Sequence, residues 1–253
     1  MRLISKDVER LCSFLDDALY VVIFTGAGIS TDSGIPDFRS PNGLWQKNKP
    51  IDFNEFLRSE EIRRENWRRK IEIDKSMQAA TPNQGHYAIA TLAQGRQGAM
   101  VITQNIDGLH QKSGMSDEQV IELHGNSTYA TCLECGTRYE LEAIKAAFIC
   151  DDILPICNHC GGIVKQATIS FGQPMPSSAM RRAKSATMKC DLFIVIGSSL
   201  VVYPAATFPI MAKHNGSALV ILNREPTKID CFADLIINDE ISPTLSATVS
   251  LIK

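Results

Sequence analysis

Short runs of consecutive apolar residues, each ending in small or polar positions, recur at residues 20–25, 100–103, 120–123, 192–197 and 218–223. A strand covered on both faces reads this way, because neither face is left for polar side chains. Between several of these runs the spacing turns helical. Thr81-Pro82-Asn83 marks a helix start ahead of residues 86–92, and residues 204–213 read as another helix with Pro204 in its first turn. Strand alternating with helix predicts an α/β fold built on a doubly wound parallel sheet.

Two segments break that rhythm. Residues 38–74 are polar and charged, with the helical stretch EEIRRENWRRK, and residues 126–164 carry two cysteine pairs. Both read as insertions. The expected division is a nucleotide-binding domain of residues 1–37, 75–125 and 166–253, and a small domain of 38–74 and 126–165, the latter zinc-ribbon plus helical.

Composition narrows the class. Apolar residues make up 44% of the 253 and charged residues 21%, which is ordinary globular usage. The net charge of −2 supplies no basic field to draw the chain onto nucleic acid or an anionic membrane. Acidic residues interrupt the first turns of chain, so a signal-peptide core is missing, and the longest apolar runs are too short for a bilayer. The expectation is a cytoplasmic protein without direct nucleic-acid or membrane partners.

Of eight cysteines, four form the pairs Cys132-x-x-Cys135 and Cys157-x-x-Cys160. Two such knuckles bring four thiolates to one tetrahedral zinc, and glycines follow each pair as tight turns require. Four protein ligands leave no open coordination position, so the ion is structural and does not activate water. Cys150 is a competing ligand without a paired partner. A nucleic-acid-binding zinc ribbon is the other reading of this module, weakened because residues 126–165 are not notably basic.

The strand at 20–25 runs directly into Gly26-Ala27-Gly28-Ile29-Ser30. Small residues let the backbone approach a diphosphate, and a helix starting there would aim its N–H groups at the anion. As a Rossmann-like fingerprint it is incomplete, since Thr31 stands at the third glycine position; a plain strand-to-helix turn is the alternative. After the next strand come Gln104, Asn105 and Asp107, which can recognise a carboxamide and ribose hydroxyls or simply cap a helix. His124 ends the strand at 120–123, where an imidazole suits proton transfer near neutral pH, although a lone histidine is more often structural.

Longer strings resolve these choices. GAGISTDSGIPDFRSPNGLW (residues 26–45), TQNIDGLH (103–110) and ELHG (122–125) resemble the signatures of the sirtuin family, and the resemblance extends over nearly the whole chain. It implies an NAD-dependent protein-lysine deacylase whose active cleft lies between the two domains. It implies NAD contacts from Gly26, Ala27, Gly28, Thr31, Asp37, Phe38, Arg39, Gln104, Asn105, Ile106 and Asp107. Further contacts are implied for Gly197, Ser198 and Ser199, for Asn223, Arg224 and Glu225, and for Ile241. His124 is the implied general base, with Asn105 completing the catalytic pair. An acylated lysine of a protein substrate would lie as a strand between the segment of Ile169, Phe171 and Gly172 on one side and Val201-Val202-Tyr203-Pro204, Val201 foremost, on the other. The implied products are free lysine, nicotinamide and 2′-O-acyl-ADP-ribose. Mono-ADP-ribosylation of protein, plain NAD hydrolysis, removal of lipoyl or long acyl chains, and a non-enzymatic zinc-ribbon adaptor are the alternatives. The chain departs from the family at Lys165-Gln166, where Arg-Pro or Lys-Pro is usual, and at Gln173, where Glu is usual.

The segment at 49–70 is most similar to the class II branch. Members that remove acidic acyl groups carry a Tyr-x-x-Arg pair here, and an ungapped placement puts Asn66 and Arg69 at those positions. Arg69 either pairs a substrate carboxylate or belongs to a solvated basic face with Arg63, Arg64, Arg68 and Lys70. Without the Tyr, the expectation is no dedicated desuccinylase and measurable removal of neutral acyl groups.

Overall fold

The five apolar runs become strands of one sheet. The computed structural model describes residues 5–37, 43, 49–94 and 98–252. In chain order these form α1 (Lys6–Asp17), β1 (Val21–Thr25), a seven-residue 3-10 segment (Ala27–Ser33), α2 (Phe53–Arg58), α3 (Glu60–Ala79) and α4 (Gln84–Gln94). Then come β2 (Ala99–Thr103), the short α5 (Leu109–Lys112), β3 (Val120–Glu122), β4 (Gly125–Cys132), β5 (Arg138–Glu140), α6 (Leu141–Asp151) and β6 (Val164–Thr168). The chain ends with α7 (Ser177–Lys189), β7 (Leu192–Ile196), α8 (Thr207–His214), β8 (Ala218–Leu222), β9 (Leu235–Ile237) and α9 (Ile241–Ile252).

The large sheet has six parallel strands in the order β3-β2-β1-β7-β8-β9. Its two faces bury separate cores. One gathers Leu11 and Leu15 of α1, Ile89 and Leu92 of α4 and Leu245 of α9; the other gathers Ala183 and Ala186 of α7 with Phe208 and Ala212 of α8. With both faces covered, all five residues of β1 and of β7 are buried, which is why these strands carry no polar alternation. The chain leaves β1 toward β2 on one side, while β7 lies on the other. That reversal opens a crevice beyond the strand ends, where doubly wound sheets take their ligands. Register sharpens it: Thr25 pairs with Thr103 and with Ile196, and Ile196 with Leu222, so four loops leave the sheet at one level.

A second, small domain carries the antiparallel sheet β5-β4-β6. Trp67 of α3 reaches into its core, against Ala130, Leu141, Phe148 and Val164. Helix α3 starts cleanly because the Ser59 hydroxyl accepts from the Ile62 N–H and Glu60 and Glu61 fill the first turn. Among the described residues, no helix is long and apolar enough to cross a membrane.

Some expectations shift. The helix start at Asn83 holds, its side chain accepting from the Gly85 and His86 N–H groups. The helix expected at 204–213 begins instead at Thr207. Pro204 belongs to the preceding turn, where its carbonyl accepts from the Thr207 N–H and hydroxyl, and the proline in the first helical turn is Pro209. The phosphate-loop helix is a 3-10 segment, with Thr31 Oγ1 donating back to the Gly28 carbonyl at 2.9 Å. Strand β9, Leu235–Ile237, was not among the expected runs.

Behind the crevice, His86 and His110 lie 5.1 Å apart between ring centroids. Burial holds His86 down to about 4 and His110 down to about 3, so both are neutral at pH 7. An unfolded histidine takes up its proton near 6.5. The unfolded state therefore binds more protons below that pH, and stability present at neutral pH is lost as pH falls from about 6.5 toward 4. Urea midpoints measured across that window are expected to fall with pH, and to fall less steeply in His110→Gln; equal slopes would clear the pair of acid sensitivity.

The loops after β1 and β7 touch through backbone alone. The Gly26 N–H donates to the Ile196 carbonyl at 3.0 Å and the Gly28 N–H to the Gly197 carbonyl at 2.9 Å. A Cβ on Gly197 would stand 2.6 Å from the Ile29 nitrogen, and this residue has φ +62°. Gly197→Ala is expected to cost at least ~2 kcal/mol, from overpacking and left-handed strain together. An unchanged melting temperature in calorimetry would show that the crossing can spread.

Candidate active site

The crevice is a cavity of about 710 Å³, within the range of small-molecule sites. Gly26, Ala27, Gly28 and Thr31 form one wall, with Asp37 beyond them, and Gly197, Ser198 and Ser199 face them from β7. At Gly26 and Gly28 an added Cβ would meet Gly197 at 2.6 and 2.8 Å. The glycines keep side chains out of this wall, which fits the close approach of a diphosphate, while their own N–H groups are taken by the Ile196, Gly197 and Leu222 carbonyls. Asn223, Arg224 and Glu225, at the end of β8, and Ile241, at the start of α9, line the far end. Arg224 pairs with Glu240 at 2.9 Å. Phe38 and Arg39 lie outside the described residues.

Polar side chains converge beyond β2. Gln104 Nε2 donates to Ser198 Oγ at 2.8 Å, tying the β2 and β7 loops together. Asn105 Nδ2 donates to the Gly26 carbonyl at 3.1 Å and to Ser30 Oγ at 3.2 Å. Ser30 in turn donates to Asp107 Oδ2 at 2.8 Å, and Asp107 Oδ1 accepts from the Leu109 N–H at 2.9 Å. Gln104, Asn105 and Ile106 line the cavity; Asp107 is buried behind them and acts on it through Ser30. Sequence reading passed over Ser30, whose place between two recognised motifs emerges only when the loops meet.

His124 also lines the cavity, and its Nδ1 sits 2.9 Å from the Gln104 carbonyl. A backbone carbonyl only accepts, so Nδ1 carries the proton and Nε2 is the basic nitrogen. Two residues earlier, burial raises the Glu122 carboxyl, which accepts from Gln111 and Asn126.

The substrate segment lies alongside. The Ile169 N–H donates to the His124 carbonyl at 2.8 Å, and Ile169, Phe171 and Gly172 all line the cavity. Phe171 bridges to Asp52, with the Phe53 N–H on its carbonyl at 2.8 Å. Across the cleft, Val202 and Tyr203 form the wall; Val201, expected there, stands 41% exposed beside them. Asn66, Arg69, Lys70 and Ile73 of α3 close the side of the small domain. Lys70, grouped with a solvated face by its sequence, is half-buried and lines the cleft. The departures fall in two places. Gln166 is buried in β6, donating to the Ser127 carbonyl at 2.7 Å, a bond proline could not make. Gln173 lines the cavity and accepts from the Ser170 N–H at 3.1 Å.

In the small domain the sulfurs of Cys132, Cys135, Cys157 and Cys160 all lie within 4.8 Å of one another. Cys132 and Cys160 are 3.5 Å apart and Cys135 and Cys157 3.6 Å. A tetrahedral zinc with bonds of 2.3 Å spaces its sulfurs at roughly 3.8 Å, so the set fits that ion. The knuckle turns close on Gly136 and Gly161, both at φ +75°, and Cys150 is no part of the cluster.

Comparison with known proteins agrees with this geometry. The model of the Sir2 family matches residues 26–204. An NAD-dependent protein deacetylase 1 of Bradyrhizobium diazoefficiens is 53% identical, covering 98% of this chain and 99% of its own length. An NAD-dependent protein deacetylase of Rhodopseudomonas palustris is 52% identical over 97% of each chain. A solved Sir2 structure with a p53 peptide and NAD+ superposes with a TM-score of 0.87 at 35% identity, over 96% of this chain and 98% of that one. With a family model matched over residues 26–204 and relatives more than half identical over nearly its whole length, the chain belongs to the Sir2 family.

Proposed function

We propose that this chain removes acyl groups from lysine side chains of proteins in an NAD-dependent reaction that releases nicotinamide and 2′-O-acyl-ADP-ribose. Its relatives are named NAD-dependent protein deacetylases, and a solved neighbour holds a p53 peptide and NAD+. The observation that carries the reading is His124. Its tautomer is set by a backbone carbonyl, and it stands in one cavity with the glycine cradle and the 169–172 segment.

NAD, when bound, supplies an electrophilic ribose carbon and nicotinamide as the leaving group. The chain's residues do the rest. Gly26, Gly28 and Gly197 keep side chains out of the wall where the diphosphate would lie. Asn105, held by Ser30 and through it by Asp107, presents a carboxamide where nicotinamide would be recognised. Gln104, braced on Ser198, faces the ribose. Asn223, Arg224, Glu225 and Ile241 take the adenosine end. Nε2 of His124 accepts a ribose hydroxyl proton, which needs no enzyme nucleophile. The substrate backbone would run between residues 169–172 and the Val202–Tyr203 wall, read by main-chain hydrogen bonds with little demand on sequence.

We assign residues 38–74 and 126–165 to the small domain, supported by the Trp67 core that joins them. The four-cysteine cluster would hold one structural zinc, and a reducing cytoplasm keeps such thiols available.

Two tests follow. His124→Ala is expected to lower deacylation of an acetyl-lysine peptide by roughly 10²–10⁴-fold, the usual contribution of a general base. NAD affinity measured by calorimetry is expected to stay within a few-fold, and mass spectrometry identifies acyl-ADP-ribose as the wild-type product. Full activity in the variant would remove His124 from the chemistry. Metal analysis is expected to find one zinc per chain, and Cys160→Ser to lose it and lower thermal stability, because bound structural zinc contributes folding free energy. Active protein free of zinc would overturn the assignment.

A further inference from the structure

Lys165 lies in β6 and is only 1% exposed. No ion pair among the described residues includes it. Its Nζ donates instead to two backbone carbonyls of its own strand, that of Gln166 at 3.4 Å and that of Thr168. It also stands 6.0 Å from the centre of the Phe56 ring, at the limit of cation–π attraction.

Hiding a long polar side chain costs its hydration and its rotamer freedom, and an apolar residue would fill the same space at less cost. Burial, with the nearby Lys70 charge, brings Lys165 down to about 7. Charged or neutral, the amine keeps enough N–H groups for both carbonyls, so these bonds do not depend on its charge. What the lysine adds to β6 is therefore a grip on backbone, and above all on Thr168.

Thr168 is the junction where the small-domain sheet becomes the 169–172 segment. It is the last residue of β6 and pairs with Gly125, and the next residue, Ile169, donates its N–H to the His124 carbonyl at 2.8 Å. Further along, the Phe171 carbonyl accepts from the Phe53 N–H at 2.8 Å, and Phe53 belongs to α2 together with Phe56. Lys165 thus touches both supports of the segment, the strand end before it and the helix beside it. It does so from behind, because it is not among the residues that line the cavity.

Resting on the deacylase reading above, we propose that Lys165 is a positioning residue for the peptide-binding segment 169–172, which it holds extended and in place by fixing the Thr168 backbone. A peptide that binds by strand addition meets an edge already set in the required form, and less ordering is left to the moment of binding. Lys165 touches neither cofactor nor reacting atoms, so its contribution falls on peptide affinity and not on the NAD site.

The test compares wild type with Lys165→Met, which keeps the length and apolar body of the side chain and removes its donors. With an acetyl-lysine peptide and NAD, the peptide KM is expected to rise by roughly tenfold, the scale of a lost hydrogen bond to a buried acceptor. The KM for NAD and kcat are expected to change less than threefold. In hydrogen exchange, the amides of residues 169–172 are expected to lose protection while those of β1 keep it. Should Lys165→Met fail to fold, Lys165→Gln, whose amide nitrogen sits one atom closer to the backbone, carries the same comparison. A peptide KM within threefold of wild type overturns the proposal. So does an equal weakening of peptide and NAD, the mark of a merely structural role. Wild type inactive on the acetyl-lysine peptide would instead overturn the deacylase reading, and this inference with it.

Discussion

Two glycine loops, one leaving β1 and one leaving β7, are in direct backbone contact, and the cleft is built outward from that contact. At Gly26, Gly28 and Gly197 there is no room for a Cβ, and the two N–H bonds across the crossing replace side-chain packing. Such closeness has two consequences from one cause. It ties the halves of a doubly wound sheet together at the point where strand order reverses, and it keeps side chains out of that wall of the cavity.

Around this crossing, short hydrogen-bonded chains transmit position from loop to loop. Gln104 links β2 to the Ser198 hydroxyl, while its own carbonyl orients His124. Ser30, from the first loop, joins Asn105 to Asp107. Groups that are buried and fully hydrogen-bonded hold one geometry, because each alternative leaves a polar atom unpaired. The His124 imidazole and the Asn105 amide are thus oriented by the loops around them.

The small domain contributes a different physical element. Its four sulfurs form a closed ligand set, and its Trp67 core positions α3 against the cleft. Through that helix Lys70, half-buried at the cavity wall, reaches Thr168 of β6, and Lys165 lies buried in the same strand.

The sequence by itself determined the five buried strands, the glycine cradle, the cysteine pairs and the motif residues Gln104, Asn105 and His124. These are local signals: a run of apolar residues, a spacing, a string of adjacent letters. It missed β9, and it placed a helix start at Pro204 where the first-turn proline is Pro209. Only the tertiary structure decided which groups meet across the cleft. Ser30 joins Asn105 to Asp107, Val202 and Tyr203 rather than Val201 face the cavity, and Glu65 occupies Arg69 while Lys70 reaches Thr168. The reason is physical. Hydrogen bonds and ion pairs act over about 3 Å between residues that may be tens of positions apart in the chain, and no linear pattern records which side of a helix will find a partner already waiting.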